Sequence, residues 1–303
     1  MRLAAQGIYM RTASKICRAP SALRTRLRYR WQPKALAWAY MRKYHPDKPL
    51  ITALGQDLKV RVYPKDIIGR YIYIDGVFER DCWNFVKGFL RPDMVLFDVG
   101  ANLGQYTLLG ARCVGQRGRV HSFEPSERMF HELEFNVALN GLSEMCVLNR
   151  FAVSDATGTA RLSRYEEGAE VFGSLGTHKR CEANIVGYEE VPTVRLDDYL
   201  EEHGIDQVDF IKMDIEGAEL LALRGAERLL SRDAAPTILL EMGDVNSVGF
   251  GYRSRDLWDY LVSLGYRMYS LGPRGESLQD AQPPTDSHRA MNLVASKQER
   301  GRL

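Results

Sequence analysis

Short apolar runs alternate with amphipathic segments between about residue 93 and residue 240. The runs are nearly continuous in apolar residues, which is typical of parallel strands that are covered by helices on both faces. They lie at Met94–Phe97, Val120–Phe123, Met145–Leu148, Val208–Met213 and Thr237–Leu240. Between them, apolar residues recur every three or four positions, as in Met129, Leu133 and Val137, and in Leu220, Leu223, Ala226 and Leu230. Strands that alternate with crossover helices predict a doubly wound α/β sheet.

The segments that flank this alternation follow other patterns. Before it, we predict a helix from about residue 33 to residue 45, a strand at Leu58–Val62, a strand and turn at Tyr71–Gly76, and a helix at Asp81–Leu90. Residues 155–192 are rich in glycine and predict hairpins and a mobile loop. After the fifth strand we predict a helix at Asp256–Leu264, a strand at Gly265–Tyr269, a loop at Gly272–Ser287 and a last strand at Met291–Ala295. These C-terminal elements fit a hairpin added to the parallel sheet.

The predicted elements divide the chain into four parts. Residues 1–46 form an N-terminal arm, and residues 47–92 form a cap of strands and a short helix. Residues 93–296 form the α/β domain, and residues 297–303 form a tail. A chain of 303 residues is long enough for one large domain or two small ones.

Composition places the chain among ordinary globular proteins, with 45% hydrophobic and 26% charged residues. No apolar run approaches the roughly 18 residues of a transmembrane helix. The five cysteines are widely spaced and include no CxxC pair, so neither a zinc site nor a disulfide framework is predicted. We expect reduced thiols in a cytoplasm.

Charge is distributed unevenly along the chain. Eleven of the 41 lysines and arginines lie in residues 1–46, which contain no Asp or Glu, so the remaining sequence is acidic overall. The arm lacks the apolar core of a secretory signal. Several interpretations stay open: contact with an anionic membrane surface at the inner face of the membrane, organellar targeting, contact with nucleic acid, or a solvated or docked extension.

Candidate chemistry begins where the first predicted strand of the α/β domain ends. Asp98, Gly100, Asn102 and Gly104 follow this strand, and Glu124 ends the next one. Glycines let a ligand approach the backbone, and the N-terminus of the following helix offers free N–H groups. Asn102 stands where a dinucleotide site would have its middle glycine, and the Asp98 carboxylate would repel a pyrophosphate but suit an ammonium group. These features favour S-adenosylmethionine over a dinucleotide.

The acid at the end of the second strand and the residues after the third complete this candidate cofactor site. The Glu124 carboxylate could accept hydrogen bonds from both ribose hydroxyls, although the same acid would also serve NAD and could instead begin a helix. Ala152 and Val153 follow the third strand, where the adenine ring could lie, or they could be plain packing residues.

Acidic residues also end the fourth and fifth strands. Asp214 and Glu216 follow the fourth strand, and Glu241 ends the fifth. Because methyl transfer is an in-line displacement, the protein mainly has to align the acceptor and remove its proton. Asp214 is our first choice for this proton acceptor and Glu241 our second. Alternatively, Asp214 binds cofactor main-chain atoms and Glu216 caps the next helix, and a divalent metal is a further candidate ligand for this edge.

Four sequence blocks together resemble those of the FkbM-type methyltransferases. They are residues 98–107, 123–125, 196–197 and 212–219, within a matching region from about 81 to 270. The resemblance implies a class I methyltransferase (Rossmann-like) fold, mostly parallel with an antiparallel last strand among seven. It implies methyl transfer from S-adenosylmethionine, often to a hydroxyl of a sugar or polyketide-like acceptor. It adds Tyr106 to the implied cofactor contacts, which also include Asp98, Gly100, Asn102, Gly104 and Glu124, and it implies that Asp214 and Glu216 lie near the reacting centre.

The leading hypothesis is therefore O-methylation of a hydroxyl on a sugar, a glycolipid or a secondary metabolite. A nucleic-acid methyltransferase is an alternative that would use the basic arm to bind phosphates, and the acidic body of the chain argues against it. A second alternative is a non-catalytic, membrane-associated protein that retains a nucleoside crevice. We expect a cytoplasmic protein that could also bind at the membrane surface.

Overall fold

The structure is a computed structural model that describes residues 33–165, 175, 185–285, 290–300 and 303. Its strands are β1 (Leu50–Leu54), β2 (Leu58–Val62), β3 (Val95–Val99), β4 (Arg119–Phe123), β5 (Cys146–Asn149), β6 (Ala152–Val153), β7 (Gly158–Tyr165), β8 (Ile185–Val194), β9 (Phe210–Met213), β10 (Thr237–Met242), β11 (Arg267–Leu271), β12 (Leu278–Asp280) and β13 (Met291–Ser296). Its α-helices are α1 (Pro33–Tyr44), α2 (Ile67–Asp75), α3 (Arg80–Phe89), α4 (Gln105–Val114), α5 (Glu127–Leu139), α6 (Leu196–His203), α7 (Glu219–Arg224), α8 (Glu227–Leu230), α9 (Asp244–Ser247) and α10 (Ser254–Ser263).

The main sheet has eight strands in the order β12-β11-β13-β10-β9-β3-β4-β5. Strands β3, β4, β5, β9 and β10 are parallel, and β13 is antiparallel to both β10 and β11. The chain leaves β3 toward β4 on one side, and β9 lies on its other side, so the strand order reverses at β3. A ligand crevice is expected above the carboxyl ends of strands at such a point. The predicted doubly wound, mostly parallel sheet is confirmed, with β12 as an additional antiparallel edge strand.

Two apolar layers cover the main sheet, one on each face. On one face, Leu96, Phe210 and Leu239 pack against α3, α4 and α5. On the other face, Phe97 and Leu240 belong to a layer that includes residues of α6, α7, α8 and α10. Buried residues therefore alternate between the two layers along each strand, which explains why the strands are apolar throughout.

The segment before residue 93 packs on the first of these faces. Strands β1 and β2 form an antiparallel hairpin, and α3 places Phe85 and Phe89 against Phe210 of β9, with ring centroids 6.2 and 4.9 Å apart. Residues of α1, β2 and α3 belong to the same apolar cluster as residues of β3 and α4. The predicted cap therefore shares its core with the α/β domain.

Three sequence-based predictions of local structure were wrong. The predicted loop at Gly272–Ser287 contains β12, which pairs with β11. Tyr71–Ile74 was predicted as a strand, but it lies in α2, which ends at Gly76 in the left-handed conformation. A short run of β-branched and aromatic residues does not distinguish a buried strand from a buried helix. The stripe from Leu220 to Leu230 was predicted as one helix, but it is divided between α7 and α8. The carboxylate of Asp197 accepts hydrogen bonds from the N–H groups of Arg228 and Leu229, which caps the second of these helices.

The region predicted to contain hairpins forms a small separate sheet. Strands β7 and β8 pair antiparallel, and β6 pairs parallel with β8. The connection between β7 and β8, apart from Leu175, lies outside the described residues, as does the arm up to residue 32. Within the described ranges, every helix is too short or too polar to span a bilayer.

Candidate active site

A cleft opens at the carboxyl edge of the main sheet, above β3, β4 and β9. Its empty volume is about 610 Å³, which includes its open mouth. Predicted site residues line it on both sides: Gly100, Asn102, Glu124, Ala152, Val153, Asp214 and Glu216. The structure therefore brings residues of both predicted groups, those of the cofactor crevice and those of the carboxylate edge, to one cavity, whereas Glu241 is not part of its lining.

The turn between β3 and α4 forms the floor of this cleft. The N–H groups of Gly100 and Ala101 both donate to the carbonyl oxygen of Phe123, which ties the turn to β4. A Cβ atom on Gly100 would lie 2.0 Å from the carbonyl oxygen of Asp214, and Gly100 has a φ of +83°. Only glycine therefore allows the ends of β3 and β9 to approach this closely.

The Glu124 carboxylate is fixed at the end of β4 by two backbone groups. Its Oε2 accepts a hydrogen bond from the Asn102 N–H at 2.8 Å, and its Oε1 accepts one from the Ser126 N–H at 2.9 Å. Asn102 adopts a left-handed conformation, with a φ of 51°, and its Oδ1 accepts from the Leu103 N–H. Burial raises the pKa of Glu124 to about 7, although both backbone hydrogen bonds act to lower it. The carboxylate is thus held in place with lone pairs left for a ligand.

Three predicted cofactor residues lie beside the cleft but are not part of its lining. Asp98 is buried near the end of β3, and its Oδ2 accepts a hydrogen bond of 2.6 Å from the Thr107 hydroxyl. Gly104 precedes the first residue of α4, and Tyr106 is buried in the first turn of that helix. Burial raises the pKa of Asp98 to about 6. Direct contact between Asp98, Gly104 or Tyr106 and a cofactor stays a prediction.

Asp214, Glu216 and Glu241 form a cluster at the other side of the cleft. One carboxylate oxygen from each lies within 4.8 Å of the others. The Asn246 side-chain amide donates to both Glu216 and Glu241, at 3.1 and 2.8 Å. Glu216 has a φ of 53°, in the left-handed region that is strained for a residue other than glycine. These distances suit a divalent cation, and a metal at this cluster stays a prediction.

Burial and the neighbouring carboxylates favour the protonated forms of Glu216 and Glu241. Burial raises the pKa of Glu241 to about 9, with further contributions from Asp214 and Glu216. Burial, together with the charge of Asp214, also raises the pKa of Glu216 well above its usual value. Clustered carboxylates whose pKa values are shifted in this way are typical of functional sites.

Lys212 supplies the positive charge of this cluster. Its side chain is 1% exposed, and its Nζ lies 3.3 Å from Asp214 Oδ2. Burial alone would lower the pKa of Lys212, but the carboxylates of Asp214 and Glu79 raise it above its usual range. The ammonium group is therefore charged and forms an ion pair with the Asp214 side chain.

Several residues that the sequence analysis did not assign to the site hold it together. Glu219 Oε1 accepts hydrogen bonds from the N–H groups of Ile215 and Gly217, both at 3.2 Å. The Tyr252 hydroxyl donates to the Gly217 carbonyl oxygen at 2.7 Å. Glu219 belongs to the acidic sequence that follows β9, but its position in that sequence did not show that its role differs from that of Glu216. Tyr252 is far away in the sequence, so no local pattern could identify it.

The sequence of this chain also matches a known protein family. The profile of the family described as "Methyltransferase FkbM domain" matches residues 98–268, more than half of the chain. The chain belongs to this family. The matched range begins at Asp98 and includes the glycine turn, Glu124 and the whole carboxylate cluster.

Individual relatives are similar over part of their length. The chain is 31% identical over 162 residues to the 31-O-demethyl-FK506 methyltransferase FkbM of Streptomyces tacrolimicus, an alignment that covers 46% of this chain and 61% of that protein. It is 27% identical to the 2-O-methyltransferase NoeI of Sinorhizobium fredii, covering 47% and 61% of the two chains. It is 26% identical to the hexuronic acid methyltransferase AglP of Haloferax volcanii, covering 50% and 58%. The chain thus spans about three fifths of these relatives.

Proposed function

We propose that this protein transfers a methyl group from S-adenosylmethionine to a hydroxyl oxygen of a sugar or a related natural product. The observation that carries the proposal is the cleft itself, which has a fixed carboxylate at one end and a carboxylate cluster at the other. Glu124 suits the ribose of a nucleoside, and Asp214 and Glu216 suit a cationic centre and a proton transfer.

The residues of the cleft fit this cofactor in charge and shape. The cofactor supplies an activated methyl group on a positively charged sulfur when it is bound. Gly100 leaves room at the floor, and Ala152 and Val153 offer apolar contact for a base. Acidic side chains line the cleft, which favours a cationic ligand over a pyrophosphate.

Asp214 is placed to accept the proton of the acceptor. Its side chain is 31% exposed at the cleft, and its Oδ2 lies 3.3 Å from the Lys212 ammonium nitrogen. When the acceptor oxygen takes the methyl group, the Asp214 carboxylate would accept the hydrogen that this oxygen loses. Glu241, the second candidate for the proton acceptor, and Glu216 adjoin Asp214. Because burial raises the pKa of both, they would hold the acceptor by hydrogen bonds.

The names of the relatives support a hydroxyl acceptor. Two of those names specify oxygen as the methylated atom or position, and a third specifies a hexuronic acid. A hydroxyl group also needs a base to remove its proton during transfer, and the carboxylate cluster provides one.

Isothermal titration with S-adenosylhomocysteine, followed by turnover assays, tests the proposal. Glu124→Ala removes hydrogen bonds that contribute about 1.5–3 kcal/mol each, so we expect affinity to fall roughly a hundredfold or more. Glu127→Gln, an exposed acid three residues away, is the matched control and should bind normally. Asp214→Asn should bind the ligand but lose methyl transfer to fractionated cell extract. Unchanged affinity in Glu124→Ala, or full turnover in Asp214→Asn, would contradict these assignments.

A further inference from the structure

Four residues with buried polar atoms lie between the cap and the main sheet, in the neighbourhood of Asp214. These atoms are Glu79 Oε2, the Tyr106 hydroxyl, Lys212 Nζ and Asn292 Oδ1. None has a hydrogen-bond partner among the described residues, although Lys212 Nζ is ion-paired with Asp214. Because an unpaired buried polar atom is costly, such a group calls for a ligand or for ordered water.

Contacts around these atoms place them in one layer. The Asn292 amide donates to Glu79 Oε1 at 2.8 Å, and Lys212 Nζ lies 5.2 Å from the centre of the Tyr106 ring. Asn292 of β13 is the register partner of Glu241 of β10, and Lys212 of β9 is the partner of Asp98 of β3. The layer therefore continues the carboxylate cluster along the carboxyl edge of the sheet.

The fold holds Glu79 over this layer from outside the sheet. Glu79 directly precedes α3 in a left-handed conformation, with a φ of 48°. Helix α3 is fixed on the sheet by Phe85 and Phe89, and the Asn84 side chain donates to the Arg274 carbonyl oxygen at 2.9 Å. A strained residue supported in this way is more typical of a functional position than of a passive turn.

The hydrogen-bonding character of the four atoms restricts the ligand. Lys212 and Tyr106 offer donors, whereas Glu79 and Asn292 offer acceptors. A phosphate would supply only acceptors, a metal ion could not use the donors, and an ammonium group could not use Lys212. Two neighbouring hydroxyls supply both donors and acceptors, and they carry no charge into a layer that already holds several carboxylates.

We propose that Glu79, Tyr106, Lys212 and Asn292 form a subsite for a pair of hydroxyls on a neutral polyol acceptor, beside the hydroxyl that Asp214 would deprotonate. The role of this subsite rests on the proposed function. The subsite would select an uncharged sugar as the acceptor. Glu79 and Asn292 lie outside the matched range 98–268, so segments flanking the family domain would select the acceptor.

Saturation-transfer NMR with methyl β-glucopyranoside tests the subsite, with glucuronic acid and glucosamine as charged probes. We expect signal from the neutral probe alone, with and without S-adenosylhomocysteine. Glu79→Gln and Asn292→Ala each remove a hydrogen bond, so the probe concentration for half-saturation should rise roughly tenfold. The exposed Glu144→Gln is the control and should behave as the wild type.

The outcomes separate the subsite from the proposed function. S-adenosylhomocysteine affinity measured by titration should be unchanged in Glu79→Gln, whose side chain lies away from the cleft lining. No signal from the neutral probe would assign the four atoms to water and overturn the subsite, even if the nucleoside binds. Preferred binding of glucuronic acid or glucosamine, or unaltered probe binding in both variants, would also overturn it. Failure of nucleoside binding alone would overturn the proposed function.

An independent observation concerns the outer face of α1. Leu36, Tyr40 and Tyr44 lie at four-residue spacing on one side of this helix and are 55–57% exposed. Trp38 on the opposite side is buried and stacks near Tyr73, with ring centroids 5.3 Å apart, so the exposed stripe is turned outward. Single exposed apolar residues are ordinary, but a continuous stripe on one helix marks a binding surface.

Charge around the stripe identifies its occupant. Helix α1 contains no acidic residue, and Lys43 lies beside the stripe, with its Nζ 4.8 Å from the centre of the Tyr44 ring. The preceding sequence is also basic and contains no Asp or Glu. We propose that this stripe, Leu36–Tyr40–Tyr44, binds the surface of an anionic lipid bilayer, with the tyrosines at the headgroup level.

Flotation with phosphatidylcholine vesicles, with and without phosphatidylserine, tests the stripe in the full chain. We expect the wild type to float only with the anionic vesicles. The triple variant Leu36→Ser, Tyr40→Ser, Tyr44→Ser should partition roughly tenfold more weakly, because it loses buried apolar area. The control Ile51→Ser, Val262→Ser removes exposed apolar residues elsewhere and should float normally. Equal binding to neutral vesicles, no binding by the wild type, or normal binding by the triple variant would overturn this proposal.

Discussion

Glu241 shows at the scale of one residue how the carboxylate cluster affects stability. Burial raises its pKa from 4.5 to about 9, and the neighbouring carboxylates add to the shift. Between these values the folded protein keeps a proton that the unfolded chain has lost. The stabilisation is therefore present at low pH and is lost as pH rises through about 9.

The substitution Glu241→Gln should remove this loss of stability at high pH. Glutamine cannot ionise, and its carbonyl oxygen can still accept the hydrogen bond that Asn246 donates at 2.8 Å. We expect the melting temperature of the variant, relative to the wild type, to increase as pH is raised from about 6 to about 9. Thermal unfolding followed by circular dichroism measures this difference. Glu144→Gln, at an exposed position, should show no such trend, and a pH-independent difference for Glu241→Gln would contradict the assigned ionisation.

Single residues also mark the limit of what the sequence can predict about the site. Glu124 and Asp214 were identifiable because each follows a recognisable apolar strand, and the structure places both at one cleft. Asn292 and Glu79 were not, because the contact between them joins residues 213 positions apart. Polar groups that meet only through tertiary packing leave no periodic signal in the chain.

At the scale of elements, burial on both faces explains which predictions succeeded. The five parallel strands of the main sheet were predicted within one or two residues at each end, since each is a continuous apolar run between polar turns. Helix α5 was identified by a stripe whose residues, Met129, Leu133 and Val137, are all buried. The register of the strands then brings the acids to one edge, because parallel strands end on the same side.

Elements whose conformation depends on distant partners were predicted less well. Helix α2 contains β-branched residues, but its burial against α1 and the β1–β2 hairpin favours a helix. The division between α7 and α8 depends on the Asp197 carboxylate, which comes from α6. Strand β12 has only three residues, and its antiparallel pairing with β11 holds it in the extended conformation. In each case tertiary contacts decide a conformation that local propensity leaves open.

At the scale of the whole molecule, the shared core links the cap to the α/β domain. Residues of α1, β2 and α3 belong to one apolar cluster with residues of β3, α4 and β9. The same packing fixes Glu79 over the main sheet, so the proposed acceptor subsite depends on the cap being folded. Two parts that share a core are expected to unfold together rather than separately.

We therefore expect one cooperative unfolding transition for both parts. Trp83 lies in the cap and Trp258 on the opposite face of the sheet. Variants that keep only Trp83 or only Trp258 among the four tryptophans of the chain therefore report on each part. Urea unfolding followed by fluorescence should give the same midpoint for both. Phe89→Ala removes a side chain that packs against Phe210, and it should lower the free energy of unfolding by about 3–5 kcal/mol at both reporters. Val262→Ala, at an exposed site, should leave both unchanged. If Phe89→Ala shifted only the Trp83 transition, the cap would be an independent domain, and Glu79 could not be held at the sheet in the way the acceptor subsite requires.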